Sequence, residues 1–205
     1  MQSTAGRAAD ETARRFWDVA ISMLGLVIFS PLFALIALLI KLESPGPVFF
    51  MQKRVGKDDK PFDIIKFRSM TVPRAQEQRV DTQIDDIEAF EFRPTGRKTA
   101  IGRALRLCSL DELPNLLNVL RGDLHLVGPR PDEPELVAQY RAEWRRRHDV
   151  KPGITGLAQT HGRTDLPYGE MMAFDLEYVD DHPFQRDLEI MLRTAGVVAR
   201  REGAR

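Results

Sequence analysis

The sequence predicts an α+β protein, mostly helical, with one small β-hairpin and an N-terminal membrane helix broken at Ser30-Pro31. Three observations carry that prediction. Several segments repeat apolar residues at the spacing of one helix face, most clearly LDELPNLLNVLRGD with Leu113, Leu116, Leu117 and Leu120 at i, i+3, i+4, i+7. Residues 48–70 instead alternate around a polar turn, the pattern of two paired strands. Finally, no charged side chain occurs between Val19 and Ile40.

The apolar run comes first in the chain. Its 22 residues would extend about 33 Å as a helix, enough for a hydrocarbon core. Pro31 interrupts it: proline has no N–H for the carbonyl of Val27, and its ring clashes there. In lipid no water repairs that loss; the Ser30 hydroxyl can reach back, with Leu26 the expected acceptor. Both flanks are basic, with Arg14 and Arg15 before and Lys41, Lys53 and Arg54 after, so the lysine/arginine rule gives little orientation. A kinked spanning helix and a re-entrant hairpin with arms of about 12 residues both satisfy these facts. The run is too long for a cleaved leader's core and no small-residue cleavage site follows, so the segment is expected to stay in the protein. The expected division is residues 1–42, N-terminal segment and membrane helix, and 43–205, one compact domain.

A strand over Val48–Gln52, a turn through Gly56–Asp59 and a second strand follow, with Phe62, Ile64 and Phe67 inward. Residues 73–98 are polar and acidic and read as a mobile loop with a short helix. Residues 99–107 are helical. Pro114 is easy only in a first turn, so the next helix is expected to start at Ser109–Asp111 and end near Gly122. LHLVGPRPDEP is a short strand entering a stiff loop. ELVAQYRAEWRRRHD is expected to be one amphipathic helix and VKPGITGLAQTHGR a turn-rich loop. GEMMAFDLEYVDDH and RDLEIMLRTAGVVARR close the chain as helices; the last has an apolar face, Leu188, Met191, Leu192, Ala195 and Val198, that suits either the core or a membrane surface.

Formal net charge is zero, which argues against a general nucleic-acid binder. The single cysteine, Cys108, excludes an intrachain disulfide and a cysteine cluster and is expected in the core. The four histidines lack metal-ligand spacing, and neither a Walker A loop nor a G-x-G-x-x-G is present. The chemistry concentrates at Asp111-Glu112. At a helix start these carboxylates meet unpaired N–H groups. Ser109 to Glu112 fits the S-x-x-E capping box; the same pair fits a carboxylate nucleophile beside an acid/base. Arg106, Arg130 between two prolines, and Lys151 before Pro152-Gly153 supply candidate phosphate-binding cations.

SLDELPNLLNVLRGDLHLVGPRP, VKPGITGLAQTHGR and FDLEYV, with RFWDVAISMLGLVIFSPLFALIALLIKLESPGPVFFMQKRVG and FDIIKFRSM, closely resemble the bacterial sugar transferase family, the monotopic phosphoglycosyl transferases. The likeness runs from about Arg15 to Arg193 and matches the family's catalytic module. It implies transfer of a phospho-sugar from a UDP-sugar to polyprenyl phosphate, typically undecaprenyl phosphate, with release of UMP. It implies Asp111 as the nucleophile that carries the phospho-sugar, Glu112 as acid/base, and Mg²⁺ near the pair with Asp111 as ligand. Lys66, Arg106, Arg130 and Asp175 fall on the family's other site positions, and Lys151 on a position that often holds arginine. The resemblance also favours the re-entrant reading of the Ser30-Pro31 break. That places the enzyme on the cytoplasmic face of the bacterial inner membrane, with interfacial amphipathic helices, inner-membrane lipids as neighbours and a homodimer compatible with its apolar faces.

Overall fold

A computed structural model describes residues 4–71, 84, 86–90, 98–162 and 166–200. Most of the acidic stretch, and so the loop and helix expected there, lies outside the described residues. The uncharged run lies within two helices, α1 (Thr4–Ile28) and α2 (Ser30–Glu43), bent by 61° at the break. The Ser30 hydroxyl donates to Val27 O at 2.8 Å rather than to Leu26. It thereby satisfies the carbonyl that Pro31 leaves open. Among the described residues no single helix is long and apolar enough to cross a membrane; the bent pair meets the test only together.

Helix α1 is not apolar all round. One face of α1 carries Arg14, Asp18 and Ser22, all buried, at successive i+4 positions. Further along, Gly25 meets Leu116 so closely that a Cβ would lie 3.1 Å from it. The other face leaves Phe16, Trp17, Met23, Leu24 and Val27 exposed. On α2, Ile36 and Ile40 pack with Phe67 and Leu105, while Leu35, Leu38 and Leu42 face outward. Glu43 at the end of α2 accepts from the N–H groups of Ala100 and Ile101 and so caps α3 (Ala100–Leu107).

Strands β1 (Phe49–Val55) and β2 (Pro61–Phe67) form the expected hairpin, antiparallel, with Phe50 opposite Lys66 and Arg54 opposite Phe62. The outer edge of β2 is met by a side chain: Ile65 N–H donates to Asn118 Oδ1 and Asn118 Nδ2 donates to Asp63 O. Asn118 is fully buried in α4 (Asn115–Arg121). A second, parallel sheet joins β3 (His125–Val127) to β4 (Gly153–Thr155). The latter lies where the sequence suggested only a loop. Gly153 allows it, because a Cβ there would sit 2.1 Å from Gly128 N.

Helix expectations fail at two places. Residues 135–149 are a short helix, α5 (Pro134–Val137), and a separate 3₁₀ segment (Ala142–Asp149). The break lets Trp144 and Arg147 turn inward together. The helix expected from Ser109 starts only at Asn115, with a 3₁₀ turn (Leu110–Glu112) before it. Helix α6 (Leu157–Thr160) leads to α7 (Tyr168–Asp180) and α8 (Phe184–Arg200). Ile190 and Val197 are the buried apolar residues of α8; Leu188, Leu192 and Ala195 face outward instead of into the core.

Candidate active site

The 3₁₀ turn holding Asp111 and Glu112 is fixed on both sides. Ser109 enters it in the left-handed region, φ 54°, with no side-chain cap, so the capping box does not form. Pro114 follows and, lacking an N–H, cannot bond back to Leu110, so the turn cannot run on into α4 as one helix. Leu110 and Leu113 pack on the α2–Phe67–Leu105 cluster. Two leucines thus anchor the turn while the carboxylates project from it.

Glu112 accepts from Lys66 Nζ at 2.9 Å and from Arg130 Nη2 at 3.0 Å. Lys66 comes from β2, Arg130 from the Gly-Pro-Arg-Pro loop after β3. Burial would raise the proton affinity of Glu112, but the two cations prevail and drive its pKa well below the carboxylate range. Lys66 is itself pushed down by burial, against the pull of Glu112, and Arg130 is pushed up by the Glu112 charge. Asp111 differs. It is 8% exposed, and among the described residues no donor bonds its carboxylate. Burial and the neighbouring Glu112 charge raise its pKa, with Lys66, Arg106 and Arg130 opposing. One carboxylate is therefore committed to cations and the other is bare.

Arg106 approaches from α3. Its Nε donates to Ser69 Oγ at 2.9 Å, and Gly102 lets the helix lie this close, since a Cβ there would be 1.8 Å from Ser69 O. Arg130 is held from behind by Arg147, which the sequence reading did not single out. Arg147 donates to the Arg130 carbonyl and is paired with both Asp132 and Asp175. Tyr140 and Tyr168 also donate to Asp132. These extra donors and Arg147 outweigh burial and lower the Asp132 pKa, while Asp175, with Arg147 alone, is pushed up by burial to about 6.

Lys66, Arg106, Arg130, Asp111 and Glu112 therefore converge. Asp175 lies one layer behind, 1% exposed. Lys151 lies elsewhere, in a groove of about 890 Å³ along α1 with Arg15, Phe16 and Val19. Cys108 is exposed, not core. Asn118 was also missed. Its signal was two asparagines three apart, Asn115 and Asn118, inside a leucine-rich helix, where a polar residue needs a buried partner.

The model of the bacterial sugar transferase family matches residues 9–201. The chain is 43% identical over 196 residues to a UDP-glucose:undecaprenyl-phosphate glucose-1-phosphate transferase of Caulobacter vibrioides, covering 92% of this chain and 70% of the relative. It is 37% identical to the exopolysaccharide production protein ExoY of Rhizobium meliloti, covering 94% and 88%. It is 38% identical to an undecaprenyl-phosphate galactose phosphotransferase of Salmonella typhimurium, of which it spans 44%.

Proposed function

Because the chain belongs to the bacterial sugar transferase family, we propose that it is a UDP-sugar:undecaprenyl-phosphate sugar-1-phosphate transferase acting through an aspartyl phospho-sugar. The observation that carries the mechanism is the unequal carboxylate pair: Asp111 bare, Glu112 held by Lys66 and Arg130. A nucleophile must be free to attack, and two cations beside it suit a diphosphate. Asp111 attacks the phosphorus that bears the sugar. An Asp111–O–P bond forms, and the bond to the bridging oxygen breaks, so UMP leaves with that oxygen and its electron pair. A polyprenyl phosphate oxygen then attacks the same phosphorus. The Asp111–P bond breaks, the carboxylate returns, and the lipid diphosphate sugar departs.

Lys66 and Arg130 stabilise charge on the phosphoryl oxygens in both steps. In the resting site Glu112 is ionised and stores these cations. As they turn to substrate phosphate, the proton affinity of Glu112 rises, and its acid/base role becomes available. No group of three His, Cys, Asp or Glu side chains forms a metal cage among the described residues. The Asp111 carboxylate, which no donor among the described residues bonds, fits Mg²⁺, which takes one or two carboxylates plus substrate phosphates. Asp111 would hold the ion, and the ion would offset diphosphate charge.

The re-entrant reading is supported by the two arms. Asp18 accepts from Leu126 N–H at 3.0 Å, Arg15 donates to Val119 O and Leu120 O, and Glu43 caps α3, so both ends of the bent pair bind one body. A span over Val19–Ile40 would pull Ser22 and Gly25, packed against the body here, away into hydrocarbon. The enzyme then lies on the cytoplasmic face of the inner membrane, where its soluble and lipid substrates meet.

The test is UMP release from a UDP-sugar panel, led by UDP-glucose and UDP-galactose, with and without undecaprenyl phosphate. Wild type should turn over at least one sugar only with the lipid. Asp111→Asn should lose about three orders of magnitude or more and trap no labelled protein. Near-normal turnover by that variant would exclude Asp111 as nucleophile.

A further inference from the structure

We propose that Phe50 seats the first apolar units of the acceptor lipid, so that the lipid phosphate meets the site from the Phe50 end of the hairpin. This rests on the transferase reading above. Side chains directly opposite in an antiparallel pair share one face. Phe50 pairs with Lys66, whose Nζ bonds Glu112. One hairpin face therefore carries both a cation of the carboxylate cluster and a phenylalanine that is 41% exposed.

That face is graded along its length. Two residues on from Phe50 is Gln52, and two further is Arg54, which bonds Gln52 at 2.6 Å and Glu133 at 3.1 Å. Toward Arg54 the face is polar and already filled, because the Arg54–Glu133 pair is only 13% and 24% exposed, and an apolar chain there would have to displace it. Leaving toward Phe50, the chain meets an aromatic ring. The strand leads from Phe50 to Val48 and so back toward α2. Val48 packs against the cluster containing Ile36 and Ile40 of α2, whose opposite face exposes Leu35, Leu38 and Leu42. A phosphate attached to a polyisoprenoid is complementary to this sequence of surfaces: cations, then an aromatic, then the outward leucines. The neighbours of Phe50 on β1 serve differently. Phe49 stacks on Phe67 at 5.5 Å on the other face, and Met51 shares that face, 57% exposed. Met51 is thus an internal control, more exposed than Phe50 on the same strand but turned away from Lys66.

The experiment measures acceptor KM, donor KM and the yield of labelled protein from UDP-sugar without acceptor, in fixed detergent. Phe50→Ala should raise the KM for undecaprenyl phosphate about tenfold, the loss expected for one partly buried aromatic contact. Donor KM and labelled-protein yield should stay at wild-type values, and Phe50→Leu should recover most of the loss. Met51→Ala should leave acceptor KM unchanged. An unchanged acceptor KM in Phe50→Ala, or an equal rise in Met51→Ala, would overturn the seat; the second outcome would mean general membrane contact. Failure of wild type to form labelled protein from any UDP-sugar would instead overturn the transferase mechanism and the seat with it.

Discussion

Asp111 and Glu112 are adjacent in sequence and opposite in electrostatics. Each carboxylate disfavours ionisation of the other, and both are taken from water. Lys66 and Arg130 decide the outcome by bonding Glu112 alone, which leaves Asp111 with a raised pKa. The sign for activity follows. On the proposed mechanism attack requires the Asp111 carboxylate, so rate should fall as pH drops through that raised value. Glu112→Gln removes the like charge and frees both cations to favour the Asp111 carboxylate; both effects lower its pKa. The acid limb of kcat/KM should therefore move to lower pH, on a plateau about a hundredfold lower because the cations lose their anchor. A limb that stays in place or moves up would mean that Glu112 does not set the ionisation of Asp111. The residue types at this site were legible in the sequence, since proline-flanked Arg130 and the Asp-Glu pair stand out. Their division of labour was not. It depends on Lys66 arriving from a strand 46 residues away, and S-x-x-E spacing describes a cap equally well until Ser109 adopts the left-handed conformation.

At the scale of elements, periodicity found the hairpin, α3, α7 and α8 and misjudged what short segments do. The apolar repeat of 135–149 has helical spacing, but Arg147 has to reach Asp132, Asp175 and the Arg130 carbonyl at once. A 3₁₀ segment gives it that aim. Strand β4 was hidden because its three residues sit among glycines, and its pairing to β3 is long-range. The Ser30-Pro31 break was legible as a bend, and Ser30 repairs the very carbonyl that Pro31 abandons. Its topological meaning needs a test. Arg14 is buried and unsuitable as a labelling site, and exposed Cys108 would react in its own right. In a Cys108→Ser background, Thr12→Cys and Lys53→Cys, both at exposed positions, should each resist an impermeant maleimide in intact spheroplasts and react after permeabilisation. Lys53 is 65% exposed, so a negative result there reflects the membrane and not burial. Labelling of only one site from outside would restore a spanning helix.

Across the whole molecule, the N-terminal helix is a structural part of the catalytic body and not a tether. Arg14 pairs with Asp187, which Tyr178 also bonds, and Asp18 bonds both Leu126 N–H and His125. These partners are separated by more than a hundred residues, so neither composition nor hydropathy could reveal them. Their consequence is that α1, α2, α8 and the carboxylate turn belong to one packed body. His125 is the imidazole of this joint. Burial disfavours its charge, but bonds to Asp18 and to Glu11 (3.4 Å) prevail and raise its pKa. A histidine with a raised folded pKa stabilises fully below the unfolded value, about 6.5, and loses that contribution as pH rises through the folded one. His125→Asn should therefore cost about 1–3 kcal/mol at pH 6, the range for charge-assisted bonds. The gap from wild type should shrink as pH is raised through and above neutrality. Paired melting curves in detergent from pH 6 to 9 measure it, and titrations common to both proteins cancel in the difference. A gap that is constant or grows with pH would mean that the joint is held by neutral His125, and that α1 docking does not depend on its charge.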